Sequence, residues 1–459
     1  MKIELAEIPA PELSTGLPVI LSDETLASRK KALLKRMNQA QLDVVIIYAD
    51  REHGANFEYF TGFVPRFEEA LLVVQKNGEA SLLLGNENQK MAAHSRLKAQ
   101  LIHVPEFSLP NQLMAAQRPF EEYLKAAKIE QNHQIGLIGW KLFTGMLGQK
   151  QQAFDLPYFI VEAVKKRVDQ GKVVNATELL LDPDTGLRSV NNANEIAHYE
   201  YGATLAGKGI LATLNQVVLG KTEIELAENL AQSGQPNTVT TICATGERFT
   251  KGTLYPRQKA VSLGDTFSTT VGYKGGLSSR GAYVVTGACD LPPKVADYVE
   301  VLAKPYYGAL VIWLEEIKIG MTGGALYKTI QDVLTQTVYH WSLNPGHLVA
   351  DEEWMSSPIY PDSRARLKSG QLLQLDIIPK IPGYGGVGCE DGIALCDANL
   401  RQQLQSQYPE MWQRVQKRRN YIQNTLQIHL PEEVLPLNDV LGYYRPYLLD
   451  QTKAFRVVR

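Results

Sequence analysis

The chain has 459 residues, 44% of them hydrophobic and 21% charged, a composition ordinary for a globular protein but too long for one core. Lys plus Arg number 47 against 49 Asp plus Glu, a net charge of −2, which excludes nucleic acid as the expected main ligand. Four cysteines (Cys243, Cys289, Cys389 and Cys396) form neither a disulfide framework nor a CxxC zinc knuckle. No run reaches the ~18 apolar residues that cross a membrane, and Met1–Glu7 lack the apolar stretch of a signal peptide. A cytoplasmic protein with no membrane partner is therefore expected.

A Pro-rich segment to about residue 20 is expected to wrap over a neighbouring element. Residues 27–41 have helical periodicity, with Leu33, Leu34 and Met37 on one side. Val44–Tyr48 reads as a buried strand. Residues 70–74 and 80–84 read as a hairpin turned at Asn77-Gly78. A further strand is expected at 135–139 and a helix at 159–167, which together describe an α/β domain ending near residue 180. Turn formers at 181–186 mark a boundary. A long helix is expected from Glu195 to about Asn215. Thr222 and Glu225 are spaced as a capping box. Strands are expected at 239–244, 267–271 and 282–286, and a helix opening at Pro292-Pro293. Late strands are expected at 372–378 and 393–396, followed from about 399 by a charged helix and a tail.

The segment Asn56-Phe57-Glu58-Tyr59-Phe60-Thr61-Gly62-Phe63 is similar to the Asn-x-x-Tyr-Leu-Thr-Gly-Phe strand and turn of the creatinase/aminopeptidase P hydrolases. Gly220-Lys221-Thr222-Glu223-Ile224-Glu225-Leu226-Ala227 resembles that family's Gly-x-Thr-Glu-x-Glu-Leu-Ala segment. Leu187-Arg188-Ser189-Val190 with Glu195-Ile196 is similar to its entry helix. The resemblance implies an α/β creatinase-like N-terminal domain (1–180), an α+β pita-bread domain (186–398) and a C-terminal helical extension (399–459). It also implies a homodimer.

Active members of that family hold two divalent metals between two aspartates, a histidine and two glutamates. Carried over by motif, the histidine is His347 of Gly346-His347. The first glutamate position is Asp376, six residues after Gly370. The second is Glu390, in Gly386-Val387-Gly388-Cys389-Glu390-Asp391. The two aspartate positions fall on Thr270, six residues after Gly264, and on Arg280. A hydroxyl is a weak substitute for a bridging carboxylate, and a guanidinium has no lone pair to give a metal. The resemblance thus implies a site without metal or other cofactor. Creatinase is a metal-free precedent, although the loop at 244–252 lacks its substrate-facing histidine, and Trp354 stands where a second family histidine would follow His347.

His347, Asp376 and Glu390 are the candidate catalytic groups, with Arg280, Thr270, Arg248 and Trp354 as candidate substrate contacts. His347 reads either as a general acid/base or as an inherited histidine bonded to a carboxylate. Asp376 and Glu390 are expected to neutralise Arg280 in an internal salt bridge. The loop Gly383–Gly386 reads either as a pocket cap or as a hairpin connection. Asp50-Arg51-Glu52-His53 reads as a surface charge cluster or as a group entering a partner subunit's cavity. Three functional readings follow. The first is a non-metallo family member that hydrolyses a C–N bond in a small molecule, or binds it as a pseudoenzyme. The second is a metal-dependent Xaa-Pro aminopeptidase or prolidase-like peptidase. The third is a module that recognises a protein or peptide.

Overall fold

A computed structural model describes residues 1–112, 118–145, 150–169, 171–253 and 255–459. The chain divides into two compact units, Leu21–Ser189 and a second made of Met1–Ile20 with Val190–Arg459.

The Leu21–Ser189 unit is built on a mixed sheet. Its strand order is Gln100–His103, Ala80–Leu84, Ala70–Gln75, Val44–Ala49, Ile135–Ile138 and Val173–Asn175. Val44–Ala49 is buried along its whole length, as its unbroken apolar run requires of a strand covered on both faces. The hairpin expected at Asn77-Gly78 is present: Val74 pairs with Ala80, and Gly78 takes φ +87°. The first helix is Asp23–Gln39, and it starts where the Ser22 side chain accepts a hydrogen bond from Thr25 N, earlier than periodicity alone indicated. Asn56–Phe63 differs from its expected strand and turn. Ala55–Thr61 is a helix, closed by Gly62 at φ 78°; the Gly supplies the left-handed cap that ends it.

The second unit carries the sheet that matters for function. Its strands are β1 (Ile242–Thr245), β2 (Thr266–Tyr273), β3 (Gly276–Tyr283), β4 (His347–Leu348), β5 (Leu372–Leu375), β6 (Gly388–Leu395) and β7 (Val434–Pro436). The order is β4-β5-β6-β3-β2-β1, with β7 also paired to β6. The long helix Ala193–Asn215 opens with a full capping box between Asn192 and Glu195, and Thr222 and Glu225 form the second, expected one. Leu205, Ala206, Ile210 and Leu214 of the long helix join Phe267, Val271, Tyr273, Ala282 and Val284 in one core. Those strand residues alternate with the ones facing away from the helix. The approach is close: a Cβ on Gly202 would fall 2.0 Å from the Lys274 carbonyl oxygen.

Two strands start earlier than expected. β3 begins at Gly276 rather than Ala282, and β6 at Gly388 rather than Ile393. Small and polar residues gave both stretches the look of turns, but central pairing to two neighbours outweighs intrinsic strand preference. The chain after Asn399 is not only helical. Helices Ala398–Gln407 and Pro409–Asn424 lead to a buried segment, and Lys453–Val458 pairs antiparallel with Lys2–Glu7. The expected helix at Pro292-Pro293 is a short 3-10 turn, Pro293–Val295, with the α-helix only at Lys304–Glu316. No helix among the described residues is long and apolar enough to cross a membrane.

Candidate active site

Strand register assembles the site. In an antiparallel sheet, directly opposed residues share a face and alternate residues share it along each strand. Ile242 opposes Thr270, Thr270 opposes Ser279, and Ser279 opposes Glu390. Leu375 opposes Asp391, so Asp376, one residue on, is the next neighbour of Glu390. His347 opposes Gln374, two residues before Asp376. Thr270, Ser279, Glu390, Asp376 and His347 therefore form one row, on the face turned away from the long helix.

His347 is fully buried and Asp376 is 5% exposed. The His347 Nδ1 lies 3.2 Å from the Leu348 carbonyl, which leaves Nε2 turned into the site. Glu353 Oε1 is 3.1 Å and Asp376 Oδ2 3.9 Å from that Nε2. Neither is aligned as a hydrogen bond, so Nε2 and Asp376 Oδ1 are both buried without a hydrogen-bond partner. Trp354 stacks on the imidazole, with ring centroids 4.1 Å apart. Burial pushes the His347 pKa down, but Glu353 and Asp376 more than offset this and leave it above its ordinary value. Burial, aided by Glu353, raises Asp376 to about 6 against the pull of His347. Burial first, then the charges of Asp376 and Glu353, raise Glu390 well above the usual carboxylate range. Both carboxyls hold their protons to higher pH than an exposed carboxylate does, a property used in acid/base sets.

The same face continues into a cleft of ≈ 360 Å³ lined by Gly246, Arg248, Phe249, Ser268, Gly281 and Gly386, among others. Ser268 opposes Gly281, two residues along each strand from Thr270 and Ser279. Arg248 Nη1 donates to Ser268 Oγ at 3.1 Å, and Glu390 acts on Arg248 electrostatically. Gly385 and Gly386 belong to this wall. The Asp50–His53 cluster lies in the other unit, where His53 stacks on Trp140 and sits 3.1 Å from Asp50.

Arg280 corrects the expectation from sequence. It opposes Cys389, not Glu390, and so faces the opposite side of the sheet. There Arg280 Nη2 donates to Asp391 Oδ2 at 2.7 Å and to the Val440 carbonyl, and Nε donates to the Tyr443 carbonyl. Asp391 also accepts from Ser278 and Asn438. Neither the Asp376 nor the Glu390 carboxylate pairs with Arg280; the Glu390 backbone carbonyl accepts a weaker bond at 3.2 Å. The expected salt bridge is therefore absent, and Arg280 is a buried anchor rather than a substrate contact. The residue that shares the row with Thr270 and Glu390 is Ser279, one position earlier, and its hydroxyl bonds Thr270 Oγ1 at 2.8 Å. Sequence reading missed Ser279, Glu353 and Asp391. Strand alternation across Ser278-Ser279-Arg280 and Glu390-Asp391 carried the signal for two of them, and the acidic run Asp351-Glu352-Glu353 beside Trp354 carried a weaker one for the third.

Residues 29–182 match the family described as Creatinase/Prolidase N-terminal domain. A Xaa-Pro dipeptidase of Pyrococcus horikoshii is 24% identical over 251 residues, 52% of this chain and 68% of that protein. The solved Xaa-Pro dipeptidase from Bacillus anthracis superposes with a TM-score of 0.60 at 18% identity, covering 82% of this chain and 96% of that one. The prolidase from Pyrococcus furiosus gives 0.58 at 22% identity, covering 79% and 96%. The Leu21–Ser189 unit thus carries a creatinase/prolidase N-terminal domain. The fold of the chain is that of these solved prolidases, a creatinase-like α/β unit followed by a pita-bread domain.

The metal pair that the resemblance implies does not fit the donors present. Two ions held close together need bridging carboxylates. In this row two neighbouring positions carry hydroxyls that already satisfy each other. Among the described residues, no group of three or more His, Cys, Asp or Glu side chains is arranged to hold an ion.

Proposed function

We propose that this chain is a non-metallo member of the creatinase/aminopeptidase P family, a hydrolase that cleaves a C–N bond in a small molecule without a metal ion. One observation carries the proposal: the Thr270–Ser279 hydroxyl pair stands in the same row as an acid/base set of His347, Asp376 and Glu390. In this reading water adds its oxygen to the carbon and the leaving nitrogen takes a proton. Asp376, ionised above its raised pKa, accepts a proton from the attacking water. His347, whose pKa Glu353 and Asp376 raise, gives one to the nitrogen. Both side chains keep an unbonded buried atom, His347 Nε2 and Asp376 Oδ1, so a substrate would satisfy polar groups that the fold leaves open. Glu390 and the Thr270 and Ser279 hydroxyls orient the nitrogen-bearing end, Trp354 walls the imidazole, and Arg248 receives a polar or anionic end in the adjoining cleft.

A second reading, a metal-dependent Xaa-Pro peptidase, is favoured by the dipeptidase from Pyrococcus horikoshii. One assay separates them. Amine release from guanidino, amidino and Xaa-Pro dipeptide substrates is measured with chelator and with added manganese or cobalt. Turnover in chelator supports the proposal. Turnover of Xaa-Pro dipeptides only with metal supports the peptidase. Saturable binding with no turnover in any condition makes the protein a ligand-binding pseudoenzyme.

A further inference from the structure

Arg445 is 2% exposed, and none of its three side-chain nitrogens has a hydrogen-bond partner. Other buried guanidinium groups have partners: Arg280 is matched by Asp391, Arg418 by Glu200 and Asp439, and Arg419 donates to the carbonyls of Pro431, Val434 and Leu430. No carboxylate among the described residues pairs with Arg445. Asp450, the acidic residue whose field reaches it, is already engaged by Lys453 at 3.0 Å and by the Thr452 N–H and hydroxyl.

A second orphan lies two residues away. Tyr443 Oη is also buried with no hydrogen-bond partner. Pro446 disfavours helical backbone at Arg445, and Tyr443 and Arg445 lie two residues apart in a segment with no helix. The Tyr444 hydroxyl is fully used, donating to the Gly281 carbonyl at 2.8 Å and lying 2.7 Å from Tyr298 Oη. Tyr443 and Arg445 act on one another electrostatically. Two buried donor groups thus lie two residues apart, and neither has a hydrogen-bonded acceptor.

A guanidinium cannot shed its proton to escape burial, and an uncompensated buried charge carries the full penalty of desolvation. Water can accept hydrogen bonds there but cannot neutralise the charge. We propose that Arg445 and Tyr443 form a binding site for one small inorganic anion of about chloride size, enclosed beneath the C-terminal segment and separate from the catalytic row. The anion completes the charge balance of a segment whose Val440 and Tyr443 carbonyls also hold Arg280.

The test uses the full chain. Thermal unfolding is followed in sodium chloride, sodium bromide and sodium phosphate against sodium gluconate at matched ionic strength, and crystals grown in bromide are examined at the bromine edge. The expected result is a saturable rise in Tm of about 3 °C with halide over gluconate and an anomalous peak between the Arg445 guanidinium and the Tyr443 hydroxyl. Arg445→Met should abolish the rise. Tyr443→Phe, which keeps the charge, should fold and bind more weakly, so the test survives a misfolded Arg445 variant. Equal unfolding in all four salts with no bromide peak overturns the site. A rise with phosphate alone overturns the chloride-sized assignment.

Discussion

The hydroxyls of Thr270 and Ser279 meet at 2.8 Å across the β2–β3 hairpin, on the face that also carries Glu390, Asp376 and His347. Each satisfies the other, and neither brings a charge. Replacing both with Asp would put two carboxylates into a row that already has two. The Thr270→Asp, Ser279→Asp double variant is expected to be less stable without metal, from like-charge repulsion, and to gain several degrees in Tm with manganese, whereas the parent gains none. Differential scanning fluorimetry with and without manganese checks this. A parent that responds as strongly as the variant would contradict the account.

Arg280 gives a sharper structural prediction. Its guanidinium is matched to Asp391 at 2.7 Å and both side chains are buried. Arg280→Met leaves the Asp391 carboxylate with Ser278 and Asn438 but no counter-charge, and should cost about 3–5 kcal/mol in chemical denaturation. Arg280→Met with Asp391→Leu removes both charges and should recover most of that loss. Neither the substrate KM nor its pH dependence should move in the folded double variant, because Arg280 faces away from the row.

These two arginine and serine positions also show how far the chain could be read without coordinates. Long-range periodicity, the Asn77-Gly78 turn and the Thr222–Glu225 capping box are local signals, and each formed as its residues dictate. The family resemblance likewise led to His347, Asp376 and Glu390. What failed was register. A one-residue step exchanges the two faces of a strand, so Arg280, opposite Cys389, faces away from the Glu390 carboxylate while its neighbour Ser279 shares that face. The run Gly276–Gly281 resembles a turn in composition, and only its pairing with β2 and β6 makes it a strand. Glu353 was illegible for a different reason. It comes from a loop, and nothing local in Asp351-Glu352-Glu353 says which of the three carboxylates turns towards His347.

Asp376 should leave a signature in stability against pH. Its carboxyl holds its proton up to about 6 in the fold, against 3.8 ordinarily. Between those values the folded state binds more protons than the unfolded one, so stability falls as pH rises through this window and stays lower above it. Asp376→Asn removes that dependence. It is expected to be more stable than the parent at pH 7 by up to about 3 kcal/mol, with a flatter profile from pH 4 to 6. Urea denaturation across that range checks it.

Glu353 should act through His347. Glu353→Gln removes the main influence that raises the imidazole pKa against burial. If His347 donates the proton to the leaving nitrogen, the basic limb of the pH–rate profile moves to lower pH and kcat at pH 8 falls, while His347→Asn lowers kcat by about 10²–10⁴ at every pH. A merely structural role for Glu353 would change stability without moving that limb, and NMR titration of the His347 ring separates the two cases.

The claim beneath all of this is that the row works without metal, and metal content tests it most directly. The purified protein is incubated with manganese, cobalt and zinc in turn, dialysed exhaustively and measured by elemental analysis. The account predicts far less than one ion per chain for each metal, with amine-releasing activity unchanged by chelator. Two ions per chain, bound through His347, Asp376 and Glu390 and required for turnover, would contradict it.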